Sequence, residues 1–482
     1  MVMKHIKIFL ILLGAAFITI SCDLDVDPES AVTRDTFFSN DDEVFAGVIN
    51  IYDAIQGENF LERDNADPNK PGVQVEYLMG EMLSDNTQTR SGSTIGFQFE
   101  TYTLDAQNAG VLSYYRGLYN IIFNANLVLE NLTNADEENI ARYEGEARFV
   151  RAYAYFNLVR FYGDVPLIDE VIEEAEIISK KEKLFTRIDQ NIIYDLIIAD
   201  LQFAIEALDN TYRTRASKAA AQGYLAKVYL TLGTNYTVAQ QLLEDIINSG
   251  DYSLEPNFLD IFYKESNNET IFAVGYEGGT PLDSQAFSAE WLNAVGRSTG
   301  VNYLTDDMVA AFNEFGGDRG QFSFRDASGD PGLFQVVKYL PEEDEDIGIP
   351  STTNDPRLAG NDWIVLRYAD ILLLHVEAIM AGGNETSAAQ AITSFQAVRD
   401  RAGLTDPVMT ITKEDLLNER RVELAFENHR FLDLKRFGVA QEVLTAFSQA
   451  NNLQFSVMDL LLPIPSAEIG ISNGILEQND GY

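Results

Sequence analysis

The feature that most restricts the fold of this chain is a series of helical segments that follow one another in pairs across short glycine turns. Residues 225–229 lead through Leu232-Gly233 into the helical spacing of residues 238–248, and Gly382-Gly383 follow a second helical segment at residues 368–378. Small residues face large ones across each pair, which is typical of tetratricopeptide-like repeats. Because each such unit buries one face against the next, the pattern predicts a mainly α fold, a tetratricopeptide-like helical-repeat solenoid.

Helical spacing of apolar residues extends well beyond these two pairs. It groups into helical pairs at about 107–249 and 363–437, within a single predicted domain over residues 41–482. The segments that carry it are residues 41–56, 114–132, 139–162, 190–208, 217–232, 238–248, 363–381, 387–401 and 413–431.

Two long stretches interrupt this pattern, at about residues 57–106 and 250–362. They are irregular, with short strand-like pieces at residues 270–274 and 334–339. Loops longer than about 15 residues in a compact domain are usually functional. We therefore expect both stretches to be ligand-facing insertions on one face of the solenoid.

The first residues predict a secretory leader. Lys4 and Lys7 precede an apolar run at residues 8–20, which is shorter than the roughly 20 residues that a membrane-spanning helix requires. We therefore expect residues 1–21 to be a signal peptide.

Cys22 is the only cysteine of the chain and directly follows this leader. The arrangement resembles the lipobox of bacterial lipoproteins, with Thr19 in the place of the usual leucine. An ordinary secretory signal with a chance cysteine is the alternative, but a lone exported thiol has no disulfide partner. The sequence therefore predicts an acylated Cys22 at the start of a tether over residues 22–40, which holds the protein on a membrane.

The charge of the chain excludes one class of partner. Thirty-four Lys and Arg residues stand against 75 Asp and Glu residues, giving a formal net charge of −41. Binding to nucleic acid depends largely on neutralising phosphates with Lys and Arg, so no nucleic-acid partner is expected. The same charge disfavours adhesion to anionic lipid, which leaves membrane attachment to the acyl anchor.

Several sequence motifs occur in a fixed order along the chain. The strongest is Glu419-Arg420-Arg421-Val422-Glu423-Leu424-Ala425-Phe426-Glu427, followed by residues 430–438. The set resembles the SusD/RagB family of nutrient-binding outer-membrane lipoproteins, from the lipobox to the last residue. The other members of the set are residues 115–119, 125–129, 146–156, 162–167, 367–373, 399–404, 462–465 and 478–482.

This resemblance implies a SusD-like fold and a function without covalent chemistry. Members of the family capture oligosaccharides, or in some cases peptides, at the cell surface. They deliver the ligand to a SusC-type TonB-dependent outer-membrane transporter. The resemblance thus implies a protein that is lipid-anchored in the outer membrane, faces the outside and needs no cofactor.

Sugar capture indicates which side chains to seek in the insertions. The C–H faces of pyranose rings pack on aromatic rings, while amides, carboxylates and arginines hydrogen-bond to hydroxyl groups. Trp291 is the leading candidate, with core packing as an equal alternative because tryptophan is usually highly buried. For the phenylalanines and tyrosines packing is the preferred alternative, and Trp363 is expected to pack at the start of a scaffold helix. The candidates are Asp85, Asn86, Arg90, Phe97, Phe99, Tyr102, Phe287, Trp291 and Tyr303.

The charged residues of the strongest motif predict a structural ion-pair network rather than an active site. On a helix, Glu423 and Glu427 share a face. Buried charges persist when they are paired, and breaking such a pair costs ~3–5 kcal/mol. The predicted network comprises Arg420, Arg421, Glu423, Glu427, Arg430, Asp433 and Arg436.

No metal site is expected. His375 and His429 are far apart and have no cysteine partner, which disfavours zinc. The acidic run Glu342, Glu343, Asp344, Glu345 and Asp346 offers oxygen ligands for Ca²⁺, but its spacing fits no calcium loop, so a solvated loop is the preferred interpretation.

Three other functions remain open at this point. A peptide-binding member of the same family would need a groove that satisfies an extended backbone. A glycoside hydrolase needs two carboxylates at a defined separation, and no motif indicates such a pair. A purely structural scaffold would have no affinity for saccharides. The acidic composition favours neutral over polyanionic glycans, unless a basic patch near Arg90 reverses this.

Overall fold

The computed structural model describes residues 37–59, 66–89, 95–264, 267–291, 302–326, 334–341, 348 and 355–482. The predicted signal peptide, Cys22, most of the tether, Arg90 and the acidic run at 342–346 lie outside the described residues. Within this part of the chain the predicted mainly α, helical-repeat fold is confirmed.

The described helices are numbered in chain order. They are α1 (Asp41–Gln56), α2 (Glu76–Gly80), α3 (Phe97–Glu100), α4 (Ala109–Asn131), α5 (Glu137–Tyr162), α6 (Lys181–Phe185), α7 (Gln190–Ala207), α8 (Lys218–Leu232), α9 (Tyr236–Ser249), α10 (Asp260–Tyr263), α11 (Phe287–Glu290), α12 (Asp306–Phe315), α13 (Tyr368–Met380), α14 (Ala389–Arg401), α15 (Lys413–Glu423), α16 (Arg430–Arg436), α17 (Ala440–Ala450) and α18 (Ser466–Ser472).

The described strands are short and pair two by two. They are β1 (Thr87–Thr89), β2 (Thr270–Val274), β3 (Asn302–Leu304), β4 (Phe324–Asp326), β5 (Phe334–Val336), β6 (Trp363–Arg367), β7 (Glu385–Thr386) and β8 (Ile411–Thr412). The pairs β1–β3, β2–β6, β4–β5 and β7–β8 are all antiparallel.

The long helices pack in sequence order and form the scaffold. α4 packs on α5, α5 on α7, α7 on α8, α8 on α9, α9 on α13 and α13 on α14. Local signals set the ends: the Ser217 hydroxyl accepts from the Ala220 N–H at the start of α8, and Gly233 ends it in the left-handed region. Glycine adopts that conformation without the steric cost of a Cβ, which explains the glycine turn of this pair.

One predicted helix begins later than the sequence indicates. Residues 363–367 form strand β6, which pairs with β2, and the helix starts only at Tyr368. The segment Trp-Ile-Val-Leu-Arg is almost wholly buried and has β-branched residues at its centre, which favour a strand. Trp363 therefore does not open a helix, although it packs as expected, 5.3 Å from the ring of Phe287.

A second predicted helix, at residues 413–431, is broken in two. α15 ends at Glu423, and Phe426 and Asn428 have φ values of 66° and 63°. Left-handed residues cannot continue a right-handed helix. The prediction that Glu423 and Glu427 share a face of one helix is therefore wrong.

The apolar core runs through all the scaffold helices and into both insertions. In the part of the chain that the structure describes, no helix combines the length and apolarity needed to cross a membrane.

Candidate ligand-binding site

The two insertions meet in the β1–β3 ladder. Gln88 of β1 lies opposite Tyr303 of β3, at the centre of the pairing. Both are half-buried, whereas the flanking residues of both strands are buried. Residues directly opposite in an antiparallel pair share a face. The ladder therefore presents an amide beside an aromatic ring.

A hairpin of β4 and β5 packs beside this ladder, against β3. Its Phe324 and Phe334 are half-buried and meet edge to face, with ring centroids 5.6 Å apart. The buried ring of Phe312 supports them, 5.1 Å from that of Phe324. We call Gln88, Tyr303, Phe324 and Phe334 the ladder surface.

Of the ladder surface, the sequence reasoning found only Tyr303. It recognised residues 334–339 as strand-like but did not pair them with residues 324–326. The signal that would have found this hairpin is Gly329-Asp330-Pro331-Gly332, a turn-forming run between two phenylalanine-bearing segments.

The base of the ladder is fixed by a buried ion pair with the scaffold. Asp85, only 4% exposed, accepts two hydrogen bonds from Arg430, at 2.8 Å from Nε and 2.9 Å from the terminal nitrogen. Arg421 lies 3.0 Å from the same carboxylate. Arg421 and Arg430 belong to α15 and α16, so two scaffold helices hold the residue that leads into β1.

Hydrogen bonds extend this anchor to both strands. Arg421 Nε donates to the Asn86 side-chain oxygen at 2.9 Å. The Thr305 hydroxyl donates to the Asp85 carbonyl at 2.8 Å, and the Thr305 N–H donates to the Asn86 carbonyl at 3.0 Å. Thr305 also caps α12. The start of β1 and the end of β3 are thus locked to each other and to the scaffold.

Electrostatics keep Asp85 ionised. Burial alone raises the pKa of its carboxyl, but the guanidinium groups of Arg421 and Arg430 outweigh burial and hold that pKa well below its usual range. The carboxylate therefore stays charged, and the ion pairs stay intact, at any pH near neutrality.

Glu76, at the start of α2, is a half-buried acid whose pKa shifts in the opposite direction to that of Asp85. Its carboxylate accepts from the hydroxyls of Tyr153 at 2.7 Å and Tyr114 at 3.2 Å. Burial outweighs these bonds and raises the pKa of Glu76 to about 7. The side chain faces an internal cavity of about 50 Å³, which Arg160 and His429 also line.

Replacing Glu76 with glutamine should flatten the dependence of stability on pH. The folded pKa of about 7 lies above the unfolded value near 4.3. The stability linked to the protonated form is therefore complete below about pH 4 and is lost as pH rises through 7. At pH 8 Glu76→Gln should be more stable than the wild type by roughly 2–4 kcal/mol, and at pH 4 the two should be equal.

Urea unfolding at several pH values measures this difference, with Glu442→Gln as the control because Glu442 is exposed on α17. Parallel pH profiles of the wild type and Glu76→Gln would contradict the assignment.

Most other predicted ligand residues lie in the core of the insertions. Trp291 is 1% exposed, and its ring centroid lies 6.0 Å from that of Tyr77 and 5.7 Å from that of Phe426. Packing, the alternative given for Trp291, is what the structure shows. The described helices of the insertions are short, and large aromatic rings supply the core there.

The same correction applies to the remaining buried candidates, which expose little surface to an external ligand. Phe287 packs between Tyr339 and Trp363, and Tyr102 packs on Phe455 at 5.1 Å. Phe97 stays half-buried at the start of α3. The buried candidates are Asp85, Asn86, Phe99, Tyr102, Phe287 and Trp291.

A buried network of charges joins the second insertion to α15. Arg367 contacts Glu269 and Glu423 at 2.6 Å and Glu427 at 2.7 Å. Lys338 contacts Glu427 at 2.8 Å. Despite burial, Arg401, Arg367 and Arg319 lower the pKa of Glu423. Arg367 and Lys338 likewise lower the pKa of Glu427.

Other predicted network residues pair within the scaffold and with the first insertion. Arg420 binds Asp433 at 2.8 Å and Asp370 at 2.7 Å, and Arg436 binds Glu377 at 2.7 Å. Arg421 and Arg430 instead hold Asp85. Sequence reasoning missed three partners from the second insertion, Glu269, Arg319 and Lys338, and it missed Arg367 at the end of β6.

His375 and His429, the two histidines considered for a metal site, have separate surroundings. His375 Nδ1 lies 2.9 Å from the Ser394 hydroxyl and Nε2 lies 3.5 Å from Glu244. Burial lowers the pKa of His429 to about 4, so it is neutral at pH 7. Among the described residues no group of three His, Cys, Asp or Glu side chains is placed to hold a metal ion.

Comparisons with known proteins agree with this architecture. A family model described as starch-binding and associating with the outer membrane matches residues 24–230. A SusD family model matches residues 344–482.

Similar proteins span the whole chain. SusD-like protein P2 of Formosa agariphila is 28% identical, with 100% of both chains covered. A solved laminarin-binding SusD-like protein is 25% identical, with a TM-score of 0.74 over 92% of this chain and 100% of its own. Surface glycan-binding protein A from Bacteroides thetaiotaomicron, solved with laminarihexaose, shares the fold at 20% identity, with a TM-score of 0.74 over 91% of this chain and 99% of its own. The chain belongs to the SusD/RagB family.

Proposed function

We propose that this protein is a non-enzymatic, surface-exposed lipoprotein that captures a neutral oligosaccharide or polysaccharide and delivers it to a SusC-type TonB-dependent transporter. The observation that carries the proposal is the ladder surface: an amide and half-exposed aromatic rings on a base that buried ion pairs hold rigid. The 25% identical structure that binds laminarin supports the ligand class.

The chemistry of the ladder surface suits a sugar. Tyr303, Phe324 and Phe334 offer ring faces and edges to pyranose C–H groups, and Gln88 offers an amide to hydroxyl groups. A rigid base lowers the ordering cost of binding. The net charge of −41 repels polyanionic glycans, so neutral ones are the proposed ligands.

The same proposal includes the export of the protein, its membrane anchor and its transporter partner. Residues 1–21 would be removed as a signal peptide, Cys22 acylated in the outer membrane, and residues 22–40 left as a tether to a domain over residues 41–482. An outer-membrane location is supported by the description of the family model that matches residues 24–230. The transporter partner and the outward orientation follow from family resemblance.

Tyr303→Ala should weaken retention by the glycan that the wild type binds about tenfold, because the variant loses the central ring of the ladder surface. Native gel electrophoresis through neutral and acidic polysaccharides measures this retention. The control is Tyr236→Ala, since Tyr236 is a half-buried tyrosine on α9, in the scaffold.

The other outcomes separate the alternatives. Equal retention of both variants would show that the glycan does not bind at the ladder surface. Failure of every glycan to retain the wild type would overturn glycan capture and favour a peptide ligand. Release of reducing ends from a bound polysaccharide would indicate a glycoside hydrolase.

A further inference from the structure

A groove of about 340 Å³ lies between α1 and β2, and it shares no residue with the ladder surface. Small-molecule sites in proteins are clefts of roughly 300–1,000 Å³. The groove is therefore large enough to seat a ligand rather than only solvent.

One face of α1 forms a wall of this groove. Ile49, Tyr52, Asp53 and Gln56 line it, at the i, i+3, i+4 and i+7 spacing that places side chains on one side of a helix. The opposite side of α1 is buried in the core. Ile49 is 44% exposed, so this face presents apolar surface beside polar side chains.

The polar groups of the wall are held in place. The Tyr52 hydroxyl donates to Glu146 at 2.6 Å and accepts from the Ala216 N–H at 2.9 Å. Gln56 Nε2 donates to the Gly275 carbonyl at 2.8 Å. These bonds fix the Tyr52 ring and the Gln56 amide before any ligand arrives.

The rest of the groove combines an apolar floor with a polar rim. Phe272, Ala273 and Val274 of β2 form the floor and are buried. Thr214 and Asp283 lie exposed on the rim, with Asp53 on the α1 wall. Carboxylates and a hydroxyl around an apolar floor match a sugar, which has apolar C–H faces and hydroxyl edges.

Two other occupants fit less well. Anionic ligands would meet the carboxylates of Asp53 and Asp283. An extended peptide would need free backbone groups on β2, but β2 pairs with β6 on one side, and its Ala273 N–H already donates to the Arg213 carbonyl at 2.9 Å.

We infer that this groove is a second saccharide site, which takes a neutral oligosaccharide independently of the ladder surface. The inference rests on the proposed function of glycan capture. Two sites on one chain hold a polysaccharide more firmly than either alone, because the second contact becomes intramolecular.

Isothermal titration with laminarihexaose and with maltohexaose tests the inference. The wild type should bind two molecules of the sugar that it recognises. Thr214→Trp, which fills the groove from an exposed position, should bind one. Tyr303→Ala should keep the groove site unchanged and bind the second molecule about tenfold more weakly. The double variant should keep only the weakened site. Asp53→Asn combined with Asp283→Asn should weaken the site that is unchanged in Tyr303→Ala about tenfold.

The results distinguish the two proposals. One wild-type site that Tyr303→Ala weakens and Thr214→Trp leaves intact would overturn the groove inference and keep the proposed function. No binding of either hexasaccharide to a wild type that a polysaccharide gel retains would overturn the groove inference alone, whereas no binding and no retention by any glycan would overturn both. Unchanged urea midpoints would establish that the variants are folded.

Discussion

Replacing Asp85 with alanine should lower the free energy of unfolding by about 3–5 kcal/mol and weaken glycan retention at least as much as Tyr303→Ala does. The substitution leaves the guanidinium groups of Arg421 and Arg430 buried without their carboxylate, and breaking a buried ion pair in this way costs about that much. The same carboxylate fixes the turn that leads into β1, so the ladder surface loses its base as the fold loses stability.

Urea unfolding and native gel retardation measure the two effects separately. Asp406→Ala is the matched control, because Asp406 is exposed and no described side chain contacts it through a hydrogen bond or ion pair. Asp85→Asn keeps the size of the side chain and removes only its charge. Equal stability of Asp85→Ala and the control would show that the ion pair does not anchor the insertion.

The pH dependence of this anchor follows from the direction of its pKa. The folded pKa of Asp85 lies below the unfolded value, which is near 3.9. Its contribution to stability is therefore fully present above about pH 5 and is lost as pH falls toward the folded pKa. The advantage of the wild type over Asp85→Ala should shrink only in acid. Ionisation of Asp85 therefore adds stability to the fold, whereas ionisation of Glu76 removes it.

The scaffold could be predicted from sequence because helix signals are local. Apolar spacing placed α1, α5, α7 and α8 within two residues of their observed ends. Two predicted helices were wrong in part, because tertiary structure overrides local preference in both places. At Trp363–Arg367 strand pairing with β2 replaces a helix, and at Phe426 and Asn428 left-handed backbone breaks one.

The ligand residues were harder to predict because burial is a property of the fold. Trp291 and Tyr303 both stand in the same irregular stretch of sequence, yet one ring is buried against Tyr77 and Phe426 and the other is half-exposed on β3. No local pattern distinguishes them. The pairing of β1 with β3, across more than 200 residues of sequence, decides which ring faces outward.

The charged motif was also predictable only in part. Its residues indicated ion pairs, but their partners come from elements far away in the chain. Arg367 reaches Glu427 across 60 positions and Glu269 across 98. Sequence spacing reports neighbours on one helix, whereas these contacts depend on how the second insertion folds back onto α15.

Arg367→Met should be the most damaging single substitution in this network. It leaves Glu269, Glu423 and Glu427 buried with fewer cationic partners, since Arg367 lies within 2.7 Å of all three carboxylates. We expect a loss of at least about 3–5 kcal/mol at pH 8, as for a broken buried ion pair. Urea unfolding measures it, with Lys218→Met as the control because Lys218 is an exposed cation at the start of α8.

Acid should partly rescue this variant, which separates a charge effect from lost packing. Without Arg367 the buried carboxylates have higher folded pKa values, so they accept protons as the pH falls from 8 to 5 and the burial penalty decreases. The deficit of Arg367→Met relative to wild type should therefore be smaller at pH 5 than at pH 8. A deficit that does not change with pH would mean that Arg367 stabilises the junction by packing, and that its charge does not hold the second insertion on α15.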